Sequence, residues 1–148
     1  MTPFRKILVA VDFSDCSRRA LALAAELARA PETELFVLHV WKPPEFAGAD
    51  LLVLAHASGV SIGQHGKQQA EVELSHFLER AGLEQAARDV KIGDPRQLIV
   101  ELAESGGFDL VVLGTHGRAG RERLFAGSVA EAVVRRCSVP VLTVRTRE

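Results

Sequence analysis

Short apolar runs alternate along this chain with segments whose apolar residues recur every three or four positions. Lys6 to Val11 (KILVAV) is nearly continuous and stops at Asp12, as expected for a parallel strand covered on both faces. Ala20, Leu21, Ala24, Leu27 and Ala28 then mark one face of a helix, with Ser14 placed to cap it and Pro31 to stop it. Glu34 to Val40 (ELFVLHV) reads as a second strand. Ala70, Leu74, Phe77, Leu78 and Ala81 mark a second helix, closed by Gly82.

Asp89 to Ile92 is a weak third strand. It is followed by Asp94, Pro95 and Gln97, read as an N-cap, a first-turn proline and a capping-box-like partner for a helix that buries Leu98, Ile99, Leu102 and Ala103. Phe108 to Leu113 is a fourth strand, apolar except at Asp109. A helix over Ser128 to Arg136 and a strand over Val139 to Val144 complete the pattern.

Strict alternation of strand and helix defines an α/β class. Right-handed crossovers then favour one doubly wound, five-stranded, mainly parallel sheet of order 3-2-1-4-5 with helices on both faces. Residues 1–148 are expected to form one domain. The stretch from about 41 to 66 is irregular; its apolar patch Leu51 to Ala55 fits a short helix, a lid or a contact surface.

Such a sheet reverses order between strands 1 and 4, and ligands favour the crevice beyond their carboxyl ends. Asp12 ends the first strand, and GTHGRAGRERLFAGS, Gly114 to Ser128, begins where the fourth ends. Gly114 and Gly117 free the backbone for close approach to a ligand. Gly127 and Ser128 precede a helix N-terminus, which suits phosphate. His116, Arg118, Arg121 and Arg123 add donors nearby. A plainer reading stands beside this one. Glycines after a strand are often turn residues, and Ser128 with Glu131 makes an S-x-x-E capping box that needs no ligand. Local chemistry leaves both open.

Composition narrows the partners. The formal net charge is -1, which gives no general pull toward nucleic acid or an anionic membrane. Cys16 and Cys137 match no CxxC or zinc spacing. No apolar stretch approaches the roughly 20 residues of a bilayer span, and the N-terminal apolar run is too short for a secretory signal. The expectation is a cytoplasmic protein that binds neither nucleic acid nor membrane.

The chain carries no G-x-x-x-x-G-K-[ST] loop and no G-x-G-x-x-G after the first strand. Gly114, two residues, Gly117, nine residues, Gly127 and Ser128 instead form a G-2x-G-9x-G-S spacing. With KILVAVDFS, LHV, GDP, DLVVLGTHGR and GSVAEAVVRRCSVPVLTVR in order, this resembles the nucleotide-binding branch of the universal stress protein family. The resemblance runs over nearly the whole chain.

That resemblance implies a Rossmann-like fold of the adenine nucleotide alpha hydrolase kind, with an adenine nucleotide, usually ATP, lying across strands 1 and 4. Asp12 matches the acidic residue that helps hold the adenosine moiety. Ala10 and Val11 match backbone positions beside the base, and Val40 the residue whose main chain reads the adenine edge. Leu113, Gly114 and Gly117 would line sugar and phosphates. Gly127, Ser128 and Val129 would bind phosphates, with His116 and Arg118 as neighbours. A divalent cation, Mg or Mn, would be held through the phosphates rather than by a protein cluster. A homodimer through the last strand, 139–145, is also implied, and Pro140 suits such an edge.

No G-x-S-x-G elbow, H-E-x-x-H motif or paired carboxylate site is evident. His39, inside an apolar strand, reads as a hydrogen-bonded core histidine. The preferred reading is therefore a stress-response binding module governed by ATP. The alternative is a slow ATPase or phosphotransferase using the same pocket, although no Walker lysine serves it.

Overall fold

A computed structural model describes residues 4–44, 62–115 and 128–146. Five strands alternate with helices: β1 (Lys6–Ala10), α1 (Asp15–Leu27), β2 (Glu34–Trp41), α2 (Ile62–Arg80), β3 (Ala87–Ile92), α3 (Pro95–Ser105), β4 (Leu110–Gly114), α4 (Val129–Arg136) and β5 (Val141–Val144). The sheet order is β3-β2-β1-β4-β5. Every pairing is parallel, so the described sheet is wholly rather than mainly parallel.

Strand alternation divides the core. Ile7, Val9 and Val11 face α1 and α2, where they meet Ala20, Leu21, Ala24, Leu74, Phe77 and Leu78. Leu8 and Ala10 face α3 and α4, packing with Ile99, Ala103, Ala130 and Val133. β1 and β4 are central and buried on both sides, which is why they read as continuous apolar runs. Asp109, the polar residue of that fourth run, lies just before β4. Its Oδ2 accepts the backbone N–H groups of Arg5 and Lys6 at 2.7 and 2.9 Å, tying the entries of the two central strands together.

The helix boundaries follow local chemistry where a cap exists. Ser14 caps α1, its side chain accepting from Ser17 N. Gly82 follows α2 at φ 69°, a left-handed position that glycine takes without steric cost. Asp94 caps α3, but its carboxylate accepts from Arg96 N. Gln97 is not the expected capping-box partner: its amide donates to Glu101 Oε1 at 2.7 Å, one turn onward. An exposed i,i+4 acceptor is in easy reach of Gln97 in the formed helix.

Several elements differ in extent from expectation, β4 among them, which runs Leu110–Gly114 rather than from Phe108 to Leu113. Helix α2 begins at Ile62, well before the apolar stripe that starts at Ala70. A Cβ on Gly66 would lie 2.1 Å from Trp41 Cζ2, so the indole at the end of β2 sits directly on this helix's first turns. Tertiary contact, not propensity, sustains that start. Trp41 thus closes β2 and residues from 62 join α2; of the expected irregular segment, 45–61 lie outside the described residues. β3 is longer than expected, because an edge strand that buries only Val90 leaves little apolar signal. β5 begins at Val141, two residues after the expected Val139.

Candidate functional site

The order reverses between β1 and β4, whose ends meet where Ala10 pairs with Leu113. Beyond Ala10 the chain stays in register for one residue more, Val11 N donating to Leu38 O at 2.9 Å. It then turns through Asp12. The Asp12 carboxylate is held by its Oδ1, which accepts the Ser14 N–H at 3.0 Å and the Ser14 hydroxyl. The Asp12 N–H donates to Ser17 Oγ at 3.3 Å. Among the described residues, Oδ2 accepts no hydrogen bond, and the side chain is only half-buried.

The same Ser14 that orients Asp12 also caps α1, so the turn and the helix start are one hydrogen-bonded unit. Ser17 closes the unit by donating its hydroxyl to Ser14 O at 3.0 Å. Phe13, between these residues, has φ 66°. His39 of β2 is buried, with Nδ1 2.7 Å from Val11 O, which bears out its reading as a bonded core histidine.

At the end of β4 the geometry comes from more distant chain. A Cβ on Gly114 would lie 2.9 Å from the Cys16 carbonyl carbon and 3.0 Å from its Sγ, so the first turn of α1 rests on this glycine. Packing therefore demands glycine here irrespective of any ligand. Thr115 N donates to Val144 O at 3.0 Å, and the Cys16 thiol donates to the same carbonyl at 2.9 Å. Cys16 and Thr115 are both buried.

Ser128 caps α4, its hydroxyl accepting the Glu131 N–H at 3.1 Å. The α4 crossover joins parallel β4 and β5, which returns its N-terminus to the carboxyl edge of the sheet. Val129 packs against the core cluster on that face, to which Leu113 and Ala10 also belong.

The structure thus brings Ala10, Val11 and Asp12 of the β1 end, Val40 of β2, Leu113 and Gly114 of β4, and Ser128 and Val129 of α4 to one edge of the sheet. His116, Gly117, Arg118 and Gly127 lie outside the described residues, as do Arg121 and Arg123. Four neighbours of the site were not read as such from the sequence: Phe13, Cys16, Ser17 and Thr115. Only Ser17, three residues after a capping serine, carries any local signal. The others are defined by contacts across the fold.

Asp94, just past the end of β3, keeps its carboxyl below the usual carboxylate range, chiefly through the hydrogen bond from the Arg96 side chain. Among the described residues, no three His, Cys, Asp or Glu side chains gather as a metal-holding group. None of the described helices is long and apolar enough to cross a membrane.

The architecture is a doubly wound α/β domain fold with an acidic residue, a close-packed glycine and a capped helix N-terminus along its switch-point edge. Residues 3–145 match the model of the universal stress protein family, and the chain belongs to that family. It is 31% identical over 148 residues to universal stress protein YxiE of Bacillus subtilis, covering 96% of this chain and 99% of that one. The structure of MJ0577, a protein of Methanocaldococcus jannaschii, shares the fold at a TM-score of 0.77 and 22% identity, covering 97% of each chain. A universal stress protein solved in complex with cAMP is similar at a TM-score of 0.63 and 27% identity, covering 97% of this chain and 99% of that one.

Proposed function

We propose that this chain is a cytoplasmic, homodimeric regulatory module that binds ATP at the carboxyl ends of β1 and β4. The observation that carries this reading is the Asp12 turn. One carboxylate oxygen is fixed by Ser14, while Oδ2 accepts nothing among the described residues, at the switch point of the sheet. An acceptor so held suits the hydroxyls of a ribose, and the backbone beside Val40 suits the edge of a base.

The phosphates would extend toward Gly114, Gly117, Gly127, Ser128 and Val129, with His116 and Arg118 alongside. The N-terminus of α4 favours negative charge there. Mg or Mn would be held through the phosphate oxygens. The relative solved in complex with cAMP supports an adenine nucleotide, and the G-2x-G-9x-G-S spacing supports a triphosphate. Dimerisation through residues 139–145 fits β5, all four of whose residues are only half-buried at the outer edge of the sheet.

Calorimetry with ATP and NAD tests the reading. ATP is expected to bind and NAD to bind far more weakly, and Asp12→Ala should lower ATP affinity at least about tenfold, the worth of a lost hydrogen bond to a charged group. Absence of adenine-nucleotide binding by the unsubstituted protein would sink it. Steady-state hydrolysis well above buffer, abolished by Gly117→Val, would make the site an enzyme's instead.

A further inference from the structure

Both residues flanking Asp12 are held by a single side chain. His39 is 9% exposed on β2, immediately before Val40. Its Nδ1 lies 2.7 Å from the carbonyl oxygen of Val11, on one side of Asp12. A carbonyl only accepts, so Nδ1 carries the proton and donates. On the other side, the Phe13 ring stacks on the His39 imidazole, with centroids 4.3 Å apart and planes at 29°.

Phe13 also has φ 66°, in the left-handed region that a bulky side chain rarely occupies. Such a conformation persists only where its surroundings enforce it, and it clusters at functional sites. The enforcing surroundings are visible. Behind the stack, Phe77 of α2 meets Phe13 edge-on at 5.5 Å, and the Arg18 guanidinium lies 5.9 Å from the Phe77 centroid. The strained residue is thus clamped between β2 and α2, and Asp12 is carried between two fixed points.

Resting on the nucleotide reading above, we propose that His39 is a positioning residue for the adenosine end of the site. Through Val11 and Phe13 it sets the path of the chain on either side of Asp12, and so the direction of the carboxylate that meets the ribose. Its hydrogen bond to Val11 and its stack on Phe13 both lie at that end. Gly114 and the α4 N-terminus, which would meet the phosphates, are held by Cys16, Val144 and Ser128.

The test compares His39→Leu, which removes the donor, with His39→Asn, whose amide can place an N–H near the position of Nδ1. Binding of ATP and of adenosine is measured by calorimetry for both variants. His39→Leu should weaken both ligands by the same factor, about tenfold for one buried hydrogen bond and its stack, leaving the ratio of the two affinities unchanged. His39→Asn should recover most of the loss.

In the free protein, hydrogen exchange at the Ser14 amide, which donates to Asp12 Oδ1, should quicken in His39→Leu and not in His39→Asn. A His39→Leu protein that binds both ligands normally, or exchanges Ser14 normally, overturns the proposal. So does a larger loss for ATP than for adenosine, which would mean that the whole site had loosened. An unsubstituted protein that binds neither ligand overturns the nucleotide reading itself, a failure seen before any variant is made.

Discussion

The carboxyl ends of β1 and β4, the two sides of the proposed site, are held in place by different means. At the end of β1, Asp12, Ser14 and Ser17 satisfy one another within five residues of chain. At the end of β4, Gly114 supports the first turn of α1, and Thr115 is tied to Val144, 29 residues further on. Cys16 reaches the same Val144 carbonyl across 128 residues. A turn whose hydrogen bonds are closed by its own side chains leans less on the fold around it, which it meets through the contacts of Val11 and Phe13 with His39 and Phe77. An end built from distant strands and a helix keeps its form only while they stay packed. Substitutions at the β4 end should therefore act first on stability, and those at the β1 end first on affinity.

Gly114→Ala presses hardest on that contrast. The new Cβ would lie 2.9 Å from backbone, the carbonyl carbon of Cys16, which no side-chain rotation can relieve. Overpacking of this kind costs about 1–3 kcal/mol. Denaturant unfolding should show that loss, together with weakened nucleotide binding as α1 moves off the strand. A Gly114→Ala protein as stable as the unsubstituted one would show that the β4 end is not held by the α1 contact.

The paired caps sharpen the comparison further. Ser14→Ala and Ser128→Ala each remove a helix N-cap, and each should cost about 1 kcal/mol of unfolding free energy. Their effects on ligands should separate. Ser14 also orients Asp12, so its loss should weaken ATP and adenosine alike. Ser128 stands at the proposed phosphate end, so its loss should weaken ATP and leave adenosine unchanged. If the two variants shift both ligands by the same factors, the division of the crevice into an adenosine end and a phosphate end fails.

The same contrast explains what could be read from the sequence. Both capping serines and Asp94 were legible, because a cap is a local event between residues two or three apart. So were β1 and β4, buried on both faces, and the strand order that follows from alternation. Asp12 was legible as the residue that ends an apolar run. Contacts across the fold left no such mark. The start of α2 depends on Trp41 lying over Gly66, and a glycine there reads as a breaker. Gly114 looked like a ligand-approach glycine, whereas its neighbour Cys16 supplies a packing reason of its own. The positive φ of Phe13 has no signature in a phenylalanine, whose ring meets His39 and Phe77 from distant parts of the chain. Edge strands β3 and β5 read short because exposure dilutes their apolar pattern.

The smallest expected effect concerns the far end of the β4–β5 unit. Glu104 of α3 accepts the Ser138 N–H at 3.0 Å and the Ser138 hydroxyl at 2.9 Å, just before β5 begins. These bonds, the backbone one first, hold its carboxyl below the ordinary value of 4.5. A carboxyl whose pKa is depressed by folding contributes stability above its unfolded pKa and loses it as pH falls through the folded value. The contribution should thus be complete at pH 7 and fade below about pH 4.5, where the unfolded carboxyl begins to take up its proton. Solvent at this exposed site keeps it small. Glu104→Gln retains an acceptor for Ser138 and removes the charge, so urea unfolding of the variant should depend less steeply on pH between 5 and 3 than that of the unsubstituted protein, at roughly those bounds. Equal acid losses in the two proteins would remove Glu104 from the ties that secure β5. The long-range anchoring of the β4 end would then rest on Thr115, Cys16 and Gly114 at the carboxyl edge.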